Sequence, residues 1–138
     1  MSEQWRCETG SSLLIPSGPD AKKHLFALML EPTVIEGYGP KTMVLMACVS
    51  SVQPHLNNEN ACLLSAGEHP FIAHDSFVDY RFTRLEAAEA IEKGIASGVF
   101  VQKEDCAPAL LKKIIAGALA SRRISREHKQ ILERVLFD

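Results

Sequence analysis

Two uninterrupted apolar runs constrain this chain more than anything else in it: HLFALML at 24–30 and TMVLMACV at 42–49. Each has the length of a strand, and neither alternates, so both are predicted to be buried strands. Glu31-Pro32 stops the first run, because proline offers no N–H to a ladder. EGYGP at 36–40 supplies a turn between the two. Shorter apolar stretches flank them, at 11–15 before Pro16 and the SGPD turn, and at 61–64 after the polar loop 57–60. FVDYRFTRL at 77–85 alternates and predicts one half-buried strand. Its Val78, Tyr80 and Phe82 would face the core, and Phe77, Asp79, Arg81 and Thr83 the other way.

The character then changes. EAAEAIEKGIA at 86–96 is rich in helix formers, and Gly98 closes it as a C-cap. Residues 99–102 read as a short strand or link. Asp105 is a candidate N-cap for the next helix, with Pro108 in its first turn. Leu110, Leu111, Ile114, Ile115, Ala118 and Leu119 recur at helical spacing, so one face docks. Ser125 can cap a last helix through Val135, with Ile131, Leu132, Val135 and Leu136 inward. Strands first and helices last predict an α+β domain. The short strands favour a compact barrel-like sheet at about 10–102, with C-terminal helices at about 105–137 packed on it.

At 138 residues the chain suits one domain with one core. Its formal net charge of −2 gives no global signal for a polyanion partner, so any such binding must be local. Lys112, Lys113, Arg122, Arg123, Arg126, Lys129 and Arg134 are read first as a solvated helical face. No apolar run approaches the roughly 18 residues that span a bilayer, and MSEQWRCETG lacks a signal-peptide core. A cytoplasmic protein without a membrane partner is expected. Cys7, Cys48, Cys62 and Cys106 form no CxxC pair, and reduced thiols are expected, two of them buried in strands.

The candidate chemistry concentrates in GEHPFIAHDSFVDYRFTR at 67–84. His74 suits acid–base work near neutrality, and Asp75 could orient it. Asp79 could hold Arg81, and a held guanidinium can bind phosphate bidentately. The same residues also make an ordinary loop, with Asp75 or Ser76 capping backbone N–H groups and Asp79–Arg81 a surface pair. His69, before Pro70, reads as a loop residue. His55 and His128 have no evident partners. His24 is either a strand-end residue or a site residue beside Lys22 and Lys23. Weak metal binding by His69, His74 and Asp75 is a minor alternative. There is no GxSxG elbow, P-loop, dinucleotide glycine turn, HExxH or EF-hand loop, and no cofactor is implied.

The order of segments carries a resemblance. G-x-x-L-L-I-P at 10–16 is followed by a glycine-containing loop and KKHLFALML. Then come TMVLMACVSSV, ACLLSAGEHPFIAHDSFVDYRFTRLEAAEAI and the helix LLKKIIAGAL. This order resembles the PemK/MazF-like growth-inhibitor toxins over about residues 10–119. The resemblance implies a small SH3-like barrel with a C-terminal helix, a homodimer, an antitoxin or other protein partner, and metal-independent cleavage of RNA. Ser50 and Ser51 stand where that family places catalytic hydroxyls, and Ser76 matches a serine opening the next strand. The family's loop ends in Arg-Pro, where this chain has Lys23-His24. On this resemblance His24 is the acid or base, Lys23 and Arg81 stabilise phosphate, Ser50 or Ser51 donates a hydrogen bond, and His74 with Asp75 is the second acid–base pair.

Three functions therefore compete: a toxin-like endoribonuclease, a non-catalytic module that binds RNA or protein, and an unrelated enzyme built on the His74–Asp75 loop. The replaced Arg-Pro favours the second over the first.

Overall fold

A computed structural model describes residues 6–17, 22–53 and 58–137 of the chain. Gly18 to Asp20 of the expected SGPD turn lie outside them, as does His55. The fold is α+β, an antiparallel sheet with three helices. Its strands are β1 (Ser12–Ser17), β2 (Lys22–Leu28), β3 (Thr33–Val34), β4 (Thr42–Ser51), β5 (Leu63–Leu64), β6 (Ser76–Val78), β7 (Arg84–Ala87) and β8 (Val101–Lys103). The helices are α1 (Ala88–Ser97), α2 (Pro108–Ala120) and α3 (Arg126–Phe137).

The order across the sheet is β5-β6-β4-β2-β1-β8. β4, the longest strand, organises it. β2 and β3 pair along one edge, through Leu25–Val49 and Thr33–Met43. β6 and β7 pair along the other, through Val49–Val78 and Met46–Arg84. Among the described residues β5 and β8 end the sheet and do not pair with each other, so the expected closure into a barrel is not seen.

The uninterrupted apolar runs have a simple cause: both faces of the sheet are covered. Successive side chains on a strand point to opposite faces. On the first face Leu14, Leu25, Ala27, Leu45, Ala47 and Val49 pack with Leu110, Ile114 and Ala118 of α2 and Ile131 and Leu132 of α3. On the second face Leu13, Ile15, Phe26, Leu28, Val44, Met46 and Cys48 pack with Ala88 and Ile91 of α1.

The single strand expected at 77–85 is two strands, and the reason is local. After Val78 the Asp79 carboxylate accepts from the Arg81 backbone N–H at 3.3 Å and starts a 3₁₀ turn, Tyr80–Phe82. That bond offers the backbone an alternative to the ladder. Residues 79–83 thus stand opposite only Ala47 and Cys48 of β4 before pairing resumes. The excursion reverses three expected positions: Phe82 is 54% exposed, whereas Asp79 and Thr83 are buried. Tyr80 goes inward as expected and donates its hydroxyl to the Ile114 carbonyl at 2.7 Å.

The helix punctuation is partly as expected. Gly98 ends α1 in the left-handed conformation at φ 81°, and the Ser125 hydroxyl accepts from the His128 N–H at the start of α3. Asp105 does not cap α2; Ala107 occupies that position without a side-chain bond. Residues 104–106 are tied to the start of the sheet instead. The Glu104 carbonyl accepts from Ser12, and the Cys106 N–H donates to the Gly10 carbonyl.

Candidate functional site

α1 covers only one end of the second face. At the other end β2 and β4 both run on beyond their last pair, Leu25–Val49. The next residues are His24 and Ser50, which the pleat turns toward the second face beside Ile15 and Cys48. The excursion at 79–83 forms the opposite wall. Between them lies a groove of about 630 Å³ lined by His24, Ser50, Phe26, Cys48, Arg81 and Phe82 among others. That is the size of a small-ligand site.

Arg81 is held rather than loose. Asp79 is buried, and its carboxylate accepts from Arg81 Nε at 3.0 Å and Nη2 at 2.8 Å. The same carboxylate raises the guanidinium's already high pKa, first through these hydrogen bonds and then through its charge. The guanidinium stays mostly exposed and lies over the Phe82 ring, 5.1 Å from its centroid. Arg84, paired with Glu86 at 2.8 Å, lies over Phe26 deeper in the groove.

Two further grooves open from the same end. One, about 690 Å³, adds Lys22, Asn58 and Arg123 to His24, Ser50 and Arg81. The other, about 250 Å³, joins His24 and Ser50 to Lys22, Lys23, Ser51 and His74. His24 and Ser50 belong to all three. Strand alternation sets Lys22 on the face of His24 and turns Lys23 away. Lys22 therefore shares a groove with Arg81, whereas Lys23 lines only the smaller one.

The histidines differ in what they have left to offer. His69 is buried and fully engaged. Its Nδ1 accepts from the Phe71 N–H at 3.0 Å, which makes Nε2 the donor to the Glu104 carbonyl at 2.7 Å. Ser12 Oγ lies 3.0 Å from the same Nε2. His69 is thus a structural tie between β1, the 65–72 loop and the segment before α2. His74 Nε2 lies 2.8 Å from Ser51 Oγ. Asp75 does not orient it; the Asp75 carbonyl accepts from Val52, and its side chain is exposed outside the grooves. His128 Nδ1 meets Thr83 Oγ1 at 2.6 Å, and burial lowers its pKa. His24 makes no side-chain hydrogen bond or ion pair among the described residues.

The cysteines offer little nucleophilic chemistry. The Cys48 thiol faces the groove, but burial pushes its pKa up to about 12, so it holds almost no thiolate near neutrality. Cys62, Cys7 and Cys106 are also pushed up by burial, the last two to about 11, and all four are free thiols. No three metal-ligating side chains gather among the described residues, so His69, His74 and Asp75 do not form the set considered above. No helix is long and apolar enough to cross a membrane. The basic residues of the last third are dispersed: Lys113 pairs with Glu68, Arg134 with Glu36, and Arg123 lines a groove.

Two participants escape the sequence pattern. Phe82 is placed by the Asp79-capped turn, which alternation conceals. Glu59 is a buried carboxylate that accepts from the Tyr80 N–H at 3.1 Å and bonds the Ser121 hydroxyl. It ties the turn carrying Arg81 to the end of α2, and nothing in the polar loop 57–60 marks it. No protein-family model matches the chain, and no curated protein is significantly similar to it.

Proposed function

We propose that this chain grips an RNA phosphodiester across His24, Ser50 and Arg81 and cleaves it without a metal, as the growth-inhibitor toxins it resembles do. One observation carries the reading. Residues distant in sequence, from β2, β4 and the 3₁₀ turn, meet at one groove, and the histidine among them makes no side-chain hydrogen bond among the described residues. A phosphate there would meet the exposed Arg81 and Lys22 cations.

The chemistry needs a base, an acid and charge stabilisation. The RNA 2′-hydroxyl gives up its proton, and its oxygen attacks the adjacent phosphorus. The bond to the 5′-oxygen breaks, and that oxygen receives a proton. The products are a 2′,3′-cyclic phosphate and a 5′-hydroxyl. His24 takes one proton-transfer role. His74, held by Ser51 in the adjoining groove, takes the other. Ser50 supplies a hydrogen bond, and Arg81 with Lys22 stabilises the charge on the phosphorane. On this reading the sheet is an opened relative of the SH3-like barrel, and a homodimer and an antitoxin-type protein are its expected partners.

A second reading keeps the groove and drops the chemistry. It is favoured by the Lys23-His24 pair standing in place of Arg-Pro, with Lys23 turned away from Arg81. The test is incubation of purified protein with mixed RNA in EDTA, beside His24→Ala. EDTA-resistant cleavage that ends in cyclic phosphate and disappears in the variant supports the nuclease. Binding without cleavage by folded wild-type protein supports the second reading. Cleavage that survives in His24→Ala removes His24 from the mechanism.

A further inference from the structure

We propose that Phe82 is a nucleobase platform beside the phosphate site, so that the groove takes single-stranded rather than duplex RNA. The inference rests on the phosphodiester reading above and adds to it the part of the substrate that is not phosphate.

Phe82 is a large apolar residue that is 54% exposed. Its position is firm. Tyr80 and Thr83 on either side of the turn are buried, and the Phe82 N–H donates to the Asp79 carbonyl at 3.1 Å. The ring lines the same groove as His24 and Ser50. Arg81 lies over it, so a flat aromatic surface and a fixed cation are presented together. Single strands are gripped by this pairing, since cations track the backbone while rings stack on the bases. In a duplex the bases are stacked on one another, and a ring cannot reach a base face without unstacking it. Lys22, in the adjoining groove that Arg81 also lines, supplies a second cation for the strand's backbone. Stacking needs no particular hydrogen-bond pattern, so the platform would select for an unpaired base rather than for one base identity.

Fluorescence anisotropy with a labelled single-stranded DNA oligonucleotide tests this without cleavage, because that strand has no 2′-hydroxyl to attack. Wild type should bind it and bind the matching duplex more weakly. Phe82→Ala should lose about 5- to 150-fold in affinity for the single strand, the range expected for one stacked base. Phe82→Trp should keep that affinity, and Phe82→Leu, apolar but not flat, should lose it as Ala does. Equal binding by wild type and Phe82→Ala overturns the platform and leaves the phosphate reading standing. Equal binding by Phe82→Leu and wild type reduces the ring to bulk apolar surface and also overturns it. If wild type binds neither this strand nor single-stranded RNA of the same sequence, the phosphodiester reading itself fails and takes the platform with it.

Discussion

The two faces of the sheet are built from the same strands and finish differently. The first is sealed by α2 and α3, and its buried polar groups are engaged: His69 with Glu104, Tyr80 with Ile114, Glu59 with Ser121. No buried side-chain nitrogen or oxygen lacks a partner among the described residues. The second face is sealed only where α1 lies on Val44 and Met46. Past Cys48 it opens into the groove, and there His24 has hydrogen-bonding capacity that no described residue uses. Chemistry needs groups free to bond a ligand, so stability belongs to the first face and reactivity to the open end of the second.

The largest expected effects would break that contrast outright. His24→Ala should lower RNA cleavage by about 100- to 10,000-fold, the usual contribution of a general acid or base. Stability should stay within about 0.5 kcal/mol, since no internal bond is lost. Urea unfolding beside the cleavage assay checks both, and a destabilised His24→Ala would mean the residue is structural. Ile114→Ala, on the sealed face, should do the reverse. It should cost about 2–5 kcal/mol, with nucleic-acid affinity of the folded fraction unchanged. A loss of affinity without loss of stability would show that the faces are not separable.

How far this contrast was legible in the sequence depends on the element. HLFALML and TMVLMACV showed strands because continuous apolar runs of that length have few other uses. They did not show that two layers of helices cover them, since periodicity reports burial and not what does the burying. Ser50 and His24 were legible as candidates through the order of segments. Their adjacency depends on the register of Leu25 with Val49, which no local pattern encodes. Alternation misread residues 79–83 because one Asp79 side-chain bond outweighed the period of two. Lys23 is the candidate because it stands where the family has its arginine, although alternation from His24 turns it away and favours Lys22. Glu59 was invisible because a lone glutamate in a polar loop looks solvated until its partners, far along the chain, are known.

Glu59 gives a finer test, since it belongs to the sealed face but holds the turn that builds the open one. Glu59→Ala leaves the Tyr80 N–H and the Ser121 hydroxyl without this acceptor in a buried site. Each orphaned group costs about 1–3 kcal/mol. Glu59→Gln keeps an acceptor for Tyr80 and should recover part of the loss. Because Arg81 follows Tyr80, the Ala variant should also weaken nucleic-acid binding, and the Gln variant should do so less. Chemical denaturation with a parallel binding curve measures both. An Ala variant as stable as wild type would show that this carboxylate holds nothing together.

The smallest expected effect lies on the seam between the faces. His128 belongs to α3, yet it bonds Thr83, which lines the groove. Docking removes water from the ring and lowers its pKa below the ordinary 6.5, with Glu127 opposing the shift. The unfolded chain therefore binds this proton at a higher pH than the folded one does. The contribution to stability is complete above pH 6.5 and declines as the pH falls below it, until folded His128 itself titrates. The ring is only partly buried, so solvent keeps the effect small. Urea midpoints for wild type and His128→Gln between about pH 8 and pH 5 isolate it, because the carboxylates common to both proteins cancel in the difference. Wild type should lose stability faster than the variant across the acid half of that range. Parallel curves would mean that α3 docks on Thr83 as readily with a charged ring as with a neutral one. The seam would then tolerate water, and the sealed face would end one residue earlier than the packing of Thr83 indicates.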